Sequence, residues 1–284
     1  MQPGQFSRTA LGAAGHRAAH QVLEGGRIFA DPFALRILGE DAESAVAAAR
    51  EDPGRRGLRN FIATRSRFAE EAARRAIGEG ARQIVVLGAG LDTFAYRLEP
   101  SEGLRVFEVD HPATQAEKRR RLAVAGIAVP PHLTFAPCDF ECDALSEALR
   151  AVGFDPDTRA FFIWLGVVPY LTEAAVFSTL GFIAGLPAGE VAFDYANPAQ
   201  TIADPTMREA HDNLSERVAA AGEAFQSDFE TPALHEKLRA LGFQEIEDLG
   251  PNEIAARFSP ERAAPGRANG GHLVRASRNR RSDR

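Results

Sequence analysis

Gly88 and Gly90 stand one residue apart at the end of the apolar run Ile84-Val85-Val86-Leu87, and Asp110 closes a second apolar run twenty residues beyond Gly90. Glycines in such a turn let a ligand approach the backbone closely. An acid ending the next strand accepts hydrogen bonds from ribose hydroxyls. The three residues read as a nucleoside-binding strand–helix–strand unit, with Glu108 as an alternative acid on the same side of the strand. A dinucleotide site would carry a third glycine beside the pyrophosphate. Thr93 occupies that position, and Asp92 adds a negative charge to the turn. A diphosphate would be repelled there, whereas an ammonium and a sulfonium would be tolerated or attracted. The expected cofactor is therefore S-adenosylmethionine and not NAD.

Arg65 is the next residue with chemical promise. On the helical pattern over 55–77 the apolar face is Leu58, Phe61, Ile62, Phe68, Ala69, Ala72 and Ala76, and Arg65 falls in its middle. A guanidinium without a partner on such a face is costly, so a carboxylate must meet it. Two partners are open: a carboxylate of the sheet, as a structural ion pair, or the methionyl carboxylate of the cofactor, through a bidentate fork. Asp139 and Phe140 follow a third strand pattern. The acid could accept from the adenine amine while the ring packs on the base, or it could merely cap a helix. Gly166 and Tyr170 follow a fourth strand and are candidates to line the pocket, as is Tyr195 at the end of a fifth.

No Gly-x-Ser-x-Gly or His-Glu-x-x-His arrangement occurs, and the seven histidines are scattered. No catalytic residue is assigned. Methyl transfer fits this, because a sulfonium is already an activated electrophile and the protein mainly aligns donor and acceptor. A carboxylate acceptor needs no base, whereas a hydroxyl acceptor does.

The elements that must position these residues come in two groups. Helical patterns cover 10–23, 32–38, 42–50 and 55–77, with no strand pattern before residue 80. Strand patterns at 84–87, 105–109, 133–136, 160–165 and 190–195 then alternate with helical ones at 113–124, 143–152 and 173–186. That alternation implies an α/β fold, a mainly parallel sheet flanked by helices, with ligands at the carboxyl ends of its strands. The expected organisation is a helical extension over 1–80, a cofactor-binding core over 81–196 and a helical insertion over the acceptor site at 197–229. The core resumes over 230–276, with a helix at 232–241 and strands near 244–249 and 272–276, and a disordered basic tail follows at 277–284.

A net charge of −6 over 284 residues does not suggest general nucleic-acid binding. Cys138 and Cys142 have no second ligand pair at metal spacing, so no metal is expected. The chain shows neither an apolar signal core nor eighteen uninterrupted apolar residues. The expected location is the cytoplasm, without a membrane partner.

The motifs Val85-Val86-Leu87-Gly88-Ala89-Gly90-Leu91-Asp92-Thr93 and Phe107-Glu108-Val109-Asp110-His111-Pro112 resemble those of the leucine carboxyl methyltransferase family. Within it they are most similar to a bacterial branch of small-molecule, polyketide-type O-methyltransferases. Asp31-Pro32-Phe33-Ala34, Thr64-Arg65-Ser66-Arg67-Phe68 and the run from Trp164 to Thr172 extend the likeness from about residue 7 to residue 276. The resemblance implies a class I methyltransferase (Rossmann-like) fold using S-adenosylmethionine. It places Arg65 on the methionyl carboxylate, Gly88 and Gly90 against the cofactor, Asp110 on the ribose, and Asp139 with Phe140 at the adenine; Gly166, past the fourth strand, is counted with the cofactor-binding candidates. It also implies that the N-terminal helices and the 197–229 insertion cover the acceptor pocket. Arg17 is the nearest match to a basic residue that reaches the donor in some relatives. Leu165 departs from the pattern, since many relatives carry a glutamate there that contacts the donor's amino end. The expected reaction is methylation of a carboxyl or hydroxyl oxygen of a small molecule in secondary metabolism. Carboxyl methylation of a protein C-terminus and non-catalytic cofactor binding are the alternatives.

Overall fold

The computed structural model describes residues 6–99, 101–259 and 270–278. Four helices come first: α1 (Arg8–Leu23), α2 (Ala34–Leu38), α3 (Asp41–Glu51) and α4 (Arg56–Gly78). The alternating part follows as β1 (Gln83–Leu87), α5 (Phe94–Arg97), β2 (Arg105–Asp110), α6 (Pro112–Val124), β3 (Leu133–Pro137), α7 (Leu145–Ala151), β4 (Ala160–Trp164), α8 (Glu173–Gly185) and β5 (Glu190–Ala196). The chain continues through α9 (Pro205–Ala220), α10 (Thr231–Leu241), β6 (Glu245–Leu249), α11 (Pro251–Phe258) and β7 (Gly271–Ser277). Helix α11 was not expected from the sequence; Pro251 begins it, Phe258 is buried and Ile254 packs beside it on the sheet. Of the expected tail, everything beyond residue 278 lies outside the described residues.

The seven strands form one sheet in the order β3-β2-β1-β4-β5-β7-β6. Strands β1 to β5 are parallel to their neighbours, and β7 runs antiparallel between β5 and β6. The order reverses at β1, where chain runs out to β3 on one side and β4 on the other. A cleft opens at the carboxyl ends of strands flanking such a switch point.

Both faces of the sheet are covered, which explains why its strands read as apolar runs and not as alternating ones. Val85, Leu87, Phe107, Phe162, Trp164 and Phe193 face one layer with α7, α8 and α10. Ile84, Val86, Val106, Phe161, Ile163 and Ala192 face the other, against Phe68, Ala69, Ala72 and Ala76 of α4. Helix α4 thereby lies across β4, β5 and β7, with α1 packed on it. Among the described residues, no helix is long and apolar enough to cross a membrane.

Candidate active site

The candidate residues are placed by the ends of strands and by the face of α4, except Arg17, which α1 carries. The β1 turn carries Gly88 at φ +61° and Gly90 at φ +46°, the left-handed region that favours glycine. A side chain at Gly88 would overlap Val167, just past β4, and one at Gly90 would meet the methyl of Ala10 on α1. The turn is thus closed in by the exit of β4 and by the first helix.

Asp110 ends β2 beside this turn. Its carboxylate accepts hydrogen bonds from the backbone N–H of Gly90 and of His111, the latter at 2.7 Å. Burial pushes its carboxyl above the usual aspartate range, and those two N–H groups only partly offset this. A vicinal diol would supply the further donors that such a carboxylate lacks, so the site fits a ribose. Glu108 is excluded from that role: its carboxylate is fully buried against Lys118 Nζ at 2.6 Å. Burial pushes the Glu108 carboxyl up to about 7 even beside that ammonium.

Thr93, where a dinucleotide site would have glycine, donates its hydroxyl to Asp31 at 2.8 Å. Asp92 accepts the N–H of Phe94 at 2.7 Å and so begins the short helix α5. Arg17 also serves the turn. Its guanidinium donates to the carbonyl of Leu91 at 2.6 Å and lies 3.5 Å from Asp31, tying α1 to the segment after Gly90.

Arg65 projects from α4 onto the carboxyl end of the sheet, where Nη1 meets Asp194 Oδ2 of β5 at 2.9 Å. The other oxygen of Asp194 accepts the N–H of Gly166 at 2.6 Å. Gly166 has φ +68°, and a side chain on it would overlap the Arg65 guanidinium. Of the two partners open to Arg65, a sheet carboxylate is present. The Nε–Nη2 edge of the fork is left to one side of that pair. Leu165 is half-buried on the α4 side, and Asp194 is the acid that stands at the β4 exit in its neighbourhood. The signal for Asp194 was in the sequence, as the one charged residue in an otherwise apolar β5 centre, on the same side of the sheet as α4.

Asp139 follows β3. It accepts the N–H of Glu141 at 3.1 Å, so it folds its own loop and does not cap α7. Its other oxygen lies 3.9 Å from the His111 ring, and Phe140 is half-buried beside it. Tyr170 is half-buried past β4, its ring 5.2 Å from that of Phe225, and burial pushes its hydroxyl up to about 12. Tyr195 is not brought to this group. One residue beyond Asp194, it faces the opposite side of β5, where its hydroxyl meets Thr231 at 2.7 Å and Asp248 at 2.9 Å.

The start of α1 is tied to the segment after α9. Glu223, just after α9, accepts from the hydroxyls of Ser7 and Thr9 and from the N–H of Arg8 at the start of α1.

The sheet order, with a glycine turn after β1 and an acid ending β2, is that of a Rossmann-like class I methyltransferase fold. A family model described as leucine carboxyl methyltransferase matches residues 10–184. A Bacillus subtilis (strain 168) protein assigned to the S-adenosyl-L-methionine-dependent methyltransferases is 36% identical over 202 residues, 70% of this chain and 66% of that protein. A Mycolicibacterium paratuberculosis protein of the same description is 30% identical over 259 residues, 85% of this chain and 78% of that one. A solved O-methyltransferase family protein from Burkholderia thailandensis aligns with a TM-score of 0.47 at 15% identity, over 94% of this chain and 72% of that one. The chain belongs to the leucine carboxyl methyltransferase family.

Proposed function

We propose that this chain transfers a methyl group from S-adenosylmethionine to a carboxyl or hydroxyl oxygen of a small molecule in cytoplasmic secondary metabolism. The observation that carries the reading is one unbroken line of contacts across the carboxyl ends of four strands. It runs from Asp110 through Gly90 and Gly88 to Val167 and Gly166, and on to Arg65 and Asp194. In this reading Asp110 holds the ribose, Gly88, Gly90 and Gly166 admit the cofactor to the backbone, and Asp139 with Phe140 receives the adenine. The free edge of Arg65 takes the methionyl carboxylate, with Asp194 fixing the rotamer of the fork. Bound S-adenosylmethionine supplies a methyl group already activated as a sulfonium. The protein then contributes alignment and exclusion of water, which can account for a large part of such a barrier.

The clasp by Glu223 and the contact of Ala10 with Gly90 favour a small acceptor over a protein terminus, because both close the site beneath α1. The test is methyl release from labelled donor with a panel of metabolites bearing carboxyl or hydroxyl groups, beside peptides with free C-termini. Turnover on the metabolites supports the proposal. Turnover on peptides alone moves the function to protein modification. Tight donor binding without any turnover leaves a binding protein.

A further inference from the structure

Four large apolar side chains stand exposed among the described residues, and two of them line one groove. Val22, near the end of α1, is 46% exposed, and Leu35 of α2 is 38% exposed. Helix α3 completes the groove with Glu43, Val46, Ala47 and Arg50, around a volume of about 430 Å³. Helix α3 rests on α1, where Ala45 stands against Gly15 and where Val46 and Ala49 pack with Ala19. Scattered exposed apolar residues are ordinary, whereas an apolar patch rimmed by polar ones marks a contact surface.

The charges at the rim say what fits it. Residues 43, 46, 47 and 50 follow the i, i+3, i+4, i+7 spacing and make one stripe along α3. The acid stands near the start of the helix and the base near its end. Neither Glu43 nor Arg50 has an ion pair or side-chain hydrogen bond among the described residues. A rise of about 10 Å separates them, so they do not pair with each other. The stripe is its own complement. A second α3 laid antiparallel, with the two-fold axis between Val46 and Ala47, sets Glu43 against the partner's Arg50 and Arg50 against the partner's Glu43. Val46 then meets the partner's Ala47, and small residues at 47 and 48 let the two helices approach closely. A two-fold contact between identical chains demands this kind of self-complementarity.

We infer that the groove over α1, α2 and α3 docks a second copy of this chain through an antiparallel contact of α3 with α3. The apolar side chains, Val22 and Leu35 among them, supply the affinity, because exposed ion pairs contribute little. The charges select the orientation, since a parallel arrangement would set Glu43 against Glu43 and Arg50 against Arg50. A contact built on an 11-residue helix is small, so the dimer is reversible and depends on concentration. Helix α1 runs from this groove to the turn after β1, where Ala10 faces Gly90. The partner therefore sits on the layer of helices that covers that turn.

The experiment is sedimentation equilibrium of the full chain from about 1 µM to about 1 mM, where weak interfaces assemble. A monomer–dimer equilibrium is expected. Val22→Glu and Leu35→Glu each put a charge into the apolar contact twice per dimer, and each should raise the dissociation constant about tenfold or more. Glu43→Arg and Arg50→Glu each create two like-charge contacts and should weaken self-association about threefold or more. Mixed together, those two variants should associate more tightly than either does alone, because every contact then joins opposite charges. The double variant Glu43→Arg/Arg50→Glu should recover the parental dimer for the same reason. Melting curves matching the parent's establish that each variant is folded. A dimer insensitive to all four substitutions, or a mixture no tighter than its components, would overturn the inference. A chain that stays monomeric throughout would also overturn it and leave the groove to a different partner.

Discussion

Replacing Arg65 by leucine removes one partner of a buried ion pair and leaves the other in place. The Asp194 side chain is 5% exposed and that of Arg65 is 14% exposed, so solvent does little to screen the change. Breaking a buried pair from one side costs about 3–5 kcal/mol. Asp194 keeps the 2.6 Å hydrogen bond from Gly166, and leucine suits the apolar face of α4, so the lower end applies, about 3 kcal/mol. For a chain of this size that corresponds to a fall in melting temperature of about 5 °C. The double variant Arg65→Leu/Asp194→Leu removes the stranded charge as well. Its remaining defect is the Gly166 N–H, worth about 1 kcal/mol. The double variant should therefore be more stable than Arg65→Leu by about 2 kcal/mol, and comparison with Asp194→Leu alone completes the cycle. Melting curves of the parent, Arg65→Leu, Asp194→Leu and the double variant without ligand give this cycle directly. Repeating them with S-adenosylhomocysteine reads the second role of Arg65: both variants lacking Arg65 should lose most of the ligand-induced rise. An Arg65→Leu protein that melts with the parent, or a double variant no better than the single one, would show that the pair is not the buried, coupled unit described.

Four further outcomes follow from the same geometry. Gly166→Ala should reduce donor affinity, because the new methyl overlaps the Arg65 guanidinium and the backbone must hold φ +68°; titration with S-adenosylhomocysteine checks it. Asp110→Asn should weaken donor binding by about 1.5–3 kcal/mol through loss of charge-assisted hydrogen bonds, with less effect on the melting temperature. Because burial raises the Asp110 carboxyl above the ordinary range, wild-type donor affinity should begin to fall, as pH is lowered, earlier than an exposed aspartate would allow. His16 is held neutral well below its ordinary value of 6.5, so below that pH the unfolded chain takes up a proton that the folded one refuses. Stability should be lost as pH falls from 6.5 toward 4, and His16→Gln should flatten that slope in denaturant titrations.

Much of this architecture is legible from local pattern. The runs leading to Gly88 and Asp110 are apolar because both faces of the sheet are covered, and the glycines mark a turn with positive φ. The position of Arg65 in the middle of an apolar helical face already required a carboxylate. What the sequence does not disclose is which one, since Asp194 lies 129 residues away and meets it only through the packing of α4 on β5. Tyr195 fails as a pocket residue for the reverse reason. The two-residue period of a strand puts it on the face away from Asp194, and reading only its place at a strand end misses that. Helix α11 escaped notice because it is only eight residues long, too short for a clear period.

The central claim is that the carboxyl edge of the sheet holds a sulfonium nucleoside and rejects a diphosphate. Calorimetric titration of the wild-type chain with S-adenosylmethionine and, separately, with NAD tests it most directly. Saturable one-to-one binding of S-adenosylmethionine with no measurable heat from NAD is the predicted result, given Asp92 in the turn and Thr93 bonded to Asp31 where a third glycine would stand. Comparable affinity for the two ligands, or binding of NAD alone, would contradict the account.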